Sequence, residues 1–290
     1  MEKQRTIKRQ ATIRGIGLQT GRPVTLRLKA APPDRGIVFV RTDLPGAPSI
    51  EVNPFNLKEP GRTLQRTVIK NKKAEVHTVE HLLASLSGLF VDNIIIEIDN
   101  VEVPGLDGSA RGFAKILRDA GFHEQDAPRA FIEIERPLIC SDGKASIQVL
   151  PDERFRVEYF MDYDHPLLKE QWFDIELRRS DDFLDFFENN VAPSRTFCME
   201  QEALVLLNSG LGKGADLNNT LVIGNDGPLE NKFRFPDEPA RHKLLDFLGD
   251  LYILGRHIKG RVIAKKSGHR LNNIFVKRLQ EECSEKLVKI

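Results

Sequence analysis

The pattern of apolar and polar positions is most informative between Arg241 and Leu251. Leu244, Leu245, Phe247, Leu248 and Leu251 cover much of a helix, while His242, Asp246 and Asp250 recur every fourth residue and stack into one polar line. Burying this helix would bury an imidazole and two carboxylates, which is costly unless they are paired or hold a cation. A metal site meets that condition. An amphipathic helix with solvated acids is the commoner source of an isolated His-x-x-x-Asp.

Elsewhere the patterning predicts strands and helices in a repeated order. Alternation over residues 6–13 and 24–28, broken by Gly15-Ile16-Gly17-Leu18 and Gly21-Arg22-Pro23, gives strand, turn and strand; residues 36–41 and 66–69 add two more strands. Helical spacing over 76–90 predicts a helix, 93–98 a short strand, and Ser109 caps a helix over 110–120. The pattern restarts near Ala127-Pro128, where we set the boundary between domains of residues 1–127 and 128–290. Strands follow at 131–139, 145–149, 155–162 and 172–177, then a short helix over 180–188. Gly210, Gly212 and Gly214 loosen a stretch before a strand at 220–223. After the polar-lined helix come a strand at 261–264 and a last helix over 271–282. Helix, strand, small-residue loop and helix thus occur twice, at 76–120 and 239–282, which predicts two α+β domains of similar topology facing each other.

Composition narrows the function. The 290 residues suffice for one large or two ordinary domains, each with its own core. Interspersed charges and a net of +1 give no broad basic field for nucleic acid or a membrane surface. The first nine residues lack the continuous apolar run of a leader and no stretch is long enough to span a bilayer, so the chain reads as cytoplasmic. Nothing in it requires more than a monomer. Cys140, Cys198 and Cys283 are odd in number and far apart, which argues against a disulfide framework or a thiolate zinc knuckle. Any metal here must use His and carboxylate.

His77-Thr78-Val79-Glu80-His81 matches the inverted zinc-protease pattern, in which two histidines on one helical face hold zinc and the glutamate activates water. A catalytic zinc wants three protein ligands and an open position. Two sets compete: His77 and His81 with a distant Glu, or His81 with His242 and Asp246. The second explains both polar helices with one ion and leaves Asp250 as an orienting group. A flanking His77, a solvated Glu80 and a hydrogen-bonded His81 would be the purely structural outcome.

Together, Thr78-Val79-Glu80-His81-Leu82-Leu83-Ala84, Asp92-Asn93, Asp107-Gly108-Ser109-Ala110, Ser194-Arg195-Thr196-Phe197, Arg241-His242-Lys243-Leu244-Leu245-Asp246, Gly249-Asp250-Leu251 and Lys266-Ser267-Gly268-His269 resemble the UDP-3-O-acyl-N-acetylglucosamine deacetylase family. Motifs in the same order, from Gly15-Ile16-Gly17-Leu18 to Asn272-Asn273, span nearly the whole chain. The resemblance implies two α+β domains with the active site between them, and a zinc amidase of lipid A synthesis in Gram-negative bacteria acting on a UDP-sugar that carries an acyl chain. It implies His81, His242 and Asp246 as ligands of zinc, with iron(II) the other candidate ion, and it leaves His77 out of the ligand set.

The same resemblance implies Glu80 as general base, His269 as general acid oriented by Asp250, and Thr196 as hydroxyl donor to the oxyanion. Lys243, Lys144 and Lys266 are implied near diphosphate and sugar, Tyr163 near uracil, and Phe197 as a further substrate contact. Residues from about 198 to 221 correspond to an insert forming a passage for the acyl chain, in which Leu204, Val205, Leu206 and Leu207 either line the passage or pack against the domain. One departure is Gln19, where the family's first glycine-rich loop usually carries His. Two rivals stand beside this reading: a peptidase built on His77 and His81, and a non-catalytic nucleotide-sugar-binding module.

Overall fold

A computed structural model describes residues 2–58 and 66–287. Its frame is two mixed sheets with one strand order. The first holds Ala11–Ile16, Pro23–Ala30, Ile37–Arg41, Ser49–Glu51 and Ile94–Ile98; the second holds Leu138–Asp142, Ala145–Leu150, Phe155–Met161, Gln171–Leu177 and His257–Lys265. Numbered in chain order within each sheet, both read 1-2-5-3-4. In both, the last strand enters the middle, antiparallel to the second strand and parallel to the third. The predicted duplication is therefore present in the topology, and the fold is α+β. The short strand Phe131–Glu133 pairs parallel to the start of His257–Lys265, and Lys3–Ile7 pairs with Phe122–Pro128.

The strands form where alternation supplies one apolar face. Val157, Tyr159 and Met161 point inward from the third strand of the second sheet, and Ile94, Ile96 and Ile98 from the central strand of the first. The predicted strand over 131–139 divides: its first part pairs with His257–Lys265, Ile134 N–H making the last bond to the Lys259 carbonyl (3.1 Å), and Leu138–Asp142 pairs instead with Ala145–Leu150. The predicted continuous alternation over 6–13 likewise splits between two strands on different partners.

Before each central strand runs a helix, α1 (Glu80–Gly88) and α5 (Glu238–Leu251), and after each runs another, α2 (Arg111–Ala120) and α6 (His269–Leu287). The second half adds α3 (Asp181–Asn190), capped by the Ser180 hydroxyl, and α4 (Glu200–Asn208), which lies between Phe197–Met199 and Leu221–Gly224. No helix among the described residues is long and apolar enough to cross a membrane.

Every residue of α1 is buried, and its main packing partner is α5. The helices meet backbone to backbone at Gly249. A Cβ placed there would overlap the Glu80 carbonyl oxygen and stand 2.8 Å from its carbon. Gly249→Ala is accordingly expected to cost about 1–3 kcal/mol or more, as overpacking of a filled core does, read as a lower urea midpoint. At Gly268 an added Cβ meets nothing within 4 Å, so Gly268→Ala should leave the midpoint in place. Equal midpoints for the two variants would contradict the close approach.

Candidate active site

The first turn of α1 is set by the segment before it. The strand Glu75–His77 ends at Thr78, whose φ of +57° turns the chain so that the helix begins only at Glu80. A β-branched residue rarely adopts that conformation. Here its N–H donates to the Thr67 carbonyl (2.9 Å) and its hydroxyl to the buried carboxylate of Glu102 (3.0 Å). Glu80 and His81 are thereby presented, both buried, at the helix start.

The predicted helix over 76–90 is shorter at its beginning for this reason. His77 stays on the strand, with Nε2 2.9 Å from Glu75 Oε1, and shares no helical face with His81. The two-histidine arrangement expected of a peptidase is not formed.

Across the seam, α5 presents His242 and Asp246 on the predicted face, both buried. One donor atom from each of His81, His242 and Asp246 lies within 4.8 Å of the other two. His81 Nε2 is 3.3 Å from Asp246 Oδ1, and His242 Nε2 is 3.4 Å from Asp246 Oδ2. With Nδ1 of His242 donating to the Ser194 carbonyl (3.0 Å), the lone pair is left on Nε2, the tautomer a metal ligand needs. Burial pushes His242 down to about 4, so this ring is neutral. Asp246 Oδ1 is buried with no hydrogen-bond partner. Two imidazoles and a carboxylate with an unsatisfied buried oxygen fit a divalent cation with a fourth position open.

His269, the first residue of α6, faces this cluster. Its Nδ1 is 2.7 Å from Asp250 Oδ2, and its Nε2 is 3.9 Å from Glu80 Oε1 and 3.8 Å from Asp246 Oδ2. Burial alone would lower its pKa, but the Asp250 carboxylate, helped by Glu80 and Asp246, more than reverses this and pushes it up to about 9. Glu80 moves the other way: burial pushes it up to about 6 against the pull of His269 and His81. A carboxylate near its titration point and an imidazolium thus flank one small space, the division of labour that acid–base catalysis requires.

The other expected residues separate into those brought to this space and those held away from it. Phe197 opens the strand Phe197–Met199 and Thr196 immediately precedes it, with Thr196 N–H donating to the Gly108 carbonyl (2.7 Å). Gly108 has φ +77°, and a Cβ there would run into the Asn219 carbonyl. This accounts for the glycine of Asp107-Gly108-Ser109. The Phe197 ring stands edge-on to Tyr163 (5.8 Å) and to His242 (6.3 Å). Thr196, Phe197 and Tyr163 line, with the triad, a cavity of about 640 Å³ that continues along Ala203, Leu206 and Leu207. Leu206 and Leu207 of α4 line this cavity, although Leu207 is 58% exposed; Leu204 and Val205, exposed at 59% and 68%, do not line it.

Lys243 reaches to 3.6 Å from Asp246 Oδ2. Burial works against its charge, but Tyr159, Asp246 and Tyr163 hold it above the ordinary lysine range. Lys266 lines the cavity with its ammonium paired to Asp162. Lys144 is exposed on the turn between the first two strands of the second sheet, where Asp142 and Ala145 line the cavity and it does not. Gln19 bridges its loop to the insert: its N–H donates to Glu102 Oε1 (2.9 Å), and its side-chain oxygen accepts from Gly212 N–H (3.0 Å).

Two contributors escaped the sequence pattern. Arg66 lines the cavity, and Thr67 N–H donates to Glu80 Oε2 (3.1 Å). As residues opening a short apolar strand they carry no signal of chemistry.

With this geometry in hand, comparison with known proteins is direct. The family described as UDP-3-O-acyl N-acetylglycosamine deacetylase matches residues 4–281. A UDP-3-O-acyl-N-acetylglucosamine deacetylase of Cellvibrio japonicus is 39% identical over 287 residues, covering 97% of this chain and 91% of the relative. Relatives of the same name from Saccharophagus degradans and Myxococcus xanthus are 41% and 37% identical, over 94% and 97% of this chain and 88% and 87% of their own lengths. The chain belongs to the UDP-3-O-acyl N-acetylglycosamine deacetylase family.

Proposed function

We propose that the chain hydrolyses the N-acetyl group of UDP-3-O-acyl-N-acetylglucosamine to acetate and the free amine, a step of lipid A biosynthesis, using zinc held by His81, His242 and Asp246. The observation that carries this reading is the convergence of three ligands from two sheet units on the Glu80–His269 pair, at the polar end of a cavity whose other end is apolar. On this view the chain divides into residues 1–127 and 128–290, with the insert at about 198–221 serving the acyl chain.

A divalent ion held by the triad supplies Lewis acidity, polarising an amide carbonyl and acidifying water towards neutrality. Everything else falls to side chains. Glu80 Oε1 takes a proton from the attacking water, whose oxygen forms the new bond to the acetyl carbon. The Thr196 hydroxyl donates to the oxygen that gains charge. As the C–N bond breaks, His269 Nε2–H protonates the departing nitrogen, since an amine leaves poorly as an anion. Asp250 holds the opposite ring nitrogen and favours the charged ring beforehand. The fixed charge of Lys243 suits an anionic group or developing negative charge nearby. Tyr163 and Phe197 offer faces and edges for the base and sugar, and Leu206 and Leu207 an apolar wall for the chain. Lys266 acts through its pair with Asp162, and Lys144 only from the cavity rim.

Acetate release from the nucleotide sugar is the direct test. Asp246→Ala should lose both bound metal and activity, whereas His77→Ala keeps both; the opposite result would sink the ligand set. Glu80→Gln should retain metal while losing about 10²–10⁴-fold in rate. The profile of kcat/KM against pH should be a bell: it rises as Glu80 loses its proton near pH 6 and falls as His269 loses its proton near pH 9. In His269→Gln the alkaline limb should disappear, and its persistence there would remove His269 as the acid.

A further inference from the structure

The geometry points to Thr67 as the positioning residue that aligns the base Glu80 with the acid pair Asp250–His269, an inference that rests on the deacetylase reading of this site. Thr67 is fully buried and touches both halves of the acid–base apparatus with separate groups. Its main-chain N–H donates to Glu80 Oε2 (3.1 Å), and its hydroxyl donates to Asp250 Oδ1 (2.5 Å). The same hydroxyl oxygen lies 3.2 Å from His269 Nδ1.

Counting protons decides the direction of each bond. An ionised carboxylate only accepts, so the single hydroxyl proton of Thr67 goes to Asp250. Asp250 Oδ2 accepts from His269 Nδ1 (2.7 Å) and from the Asn272 amide (2.8 Å). With the Thr67 bond at Oδ1, both carboxylate oxygens are engaged and its plane cannot turn. The Nδ1 proton of His269 is then committed to Asp250, and the transferable proton sits on Nε2, facing Glu80 Oε1 and Asp246.

Glu80 is treated the same way at its other end. With Oε2 tied to Thr67 N–H, Oε1 is the oxygen left towards the reacting space. Thr67 also accepts from Thr78 N–H, so it fixes the turn from which Glu80 is launched. One residue therefore sets the spacing between the group that takes a proton and the group that gives one. That spacing is a property of the transition state more than of substrate binding.

Thr67→Val keeps the branched shape and the N–H to Glu80 and removes only the hydroxyl; Thr67→Ser keeps the hydroxyl. We expect Thr67→Val to lower kcat about 10–100-fold, the usual loss for an orienting partner of a catalytic group, with KM and bound metal unchanged and Thr67→Ser near wild type. A readout without substrate accompanies this: the low-field proton resonance of His269 Nδ1–H should be sharp in wild type and Thr67→Ser and lost to exchange in Thr67→Val. Wild-type kcat in Thr67→Val, or equal damage in Thr67→Ser, overturns the proposal. If the wild-type chain releases no acetate while the resonance still depends on the hydroxyl, the deacetylase reading fails and the orienting role stands.

Discussion

The contact on which the rest of the molecule depends is the backbone approach of α5 to α1 at Gly249 and Glu80. Two sheets of equal topology could pack in many ways, but a glycine against a carbonyl fixes the separation and leaves no room for a side chain between the helices. The residues beside that contact are then forced into the seam. Glu80 and His81 come from one side, His242, Asp246 and Asp250 from the other, and all are at most 6% exposed. Charged groups in such a place must find partners or a cation. The close approach thus creates both the site and the demand for its metal.

Within that seam, identical side chains are driven to opposite states by their neighbours. His242 and His269 are both buried, and burial alone would neutralise both. His242 donates to a neutral carbonyl and lies among His81 and Lys243 as well as Asp246, so it remains neutral and suited to a metal. His269 faces Asp250, Glu80 and Asp246 and keeps its proton, as an acid should. The difference lies in the placement of carboxylates and not in accessibility.

The sequence made the periodic part of this legible and hid the rest. Fourfold spacing located His242, Asp246 and Asp250 on one face, because α5 is regular there, and the repeated helix–strand–helix order foretold the shared sheet topology. The helix predicted from residue 76 overran its start because a periodic pattern ignores backbone sign: one positive φ at Thr78 keeps His77 on the preceding strand. Lys266 and Lys144 resemble substrate contacts in the motifs that carry them, yet the first has its charge paired with Asp162 and the second sits on an exposed turn. Pairing across 104 positions and solvent exposure leave no local trace. Thr67 is hidden more deeply still, since its contacts with Glu80 and Asp250 are made by a main-chain donor and one hydroxyl aimed across the fold.

Duplication gives these assignments a further logic. In each half the loop after the central strand opens towards the seam, as Asp107-Gly108-Ser109-Ala110 before α2 and as Lys266-Ser267-Gly268-His269 before α6. The second loop delivers an ionisable ring directly against Glu80. The first is used differently: its Gly108 carbonyl receives Thr196 N–H, Asp107 pairs across the seam with Arg234, and the Ser109 hydroxyl accepts from Arg111 N–H at the start of α2. On the proposed mechanism, equivalent positions in the two copies have thus separated, one into proton transfer and one into support for Thr196, just before the strand Phe197–Met199. An active site built at the seam of a duplicated fold needs this asymmetry, because two identical loops would bring two like-charged acids to a space that has room for one acid and one base.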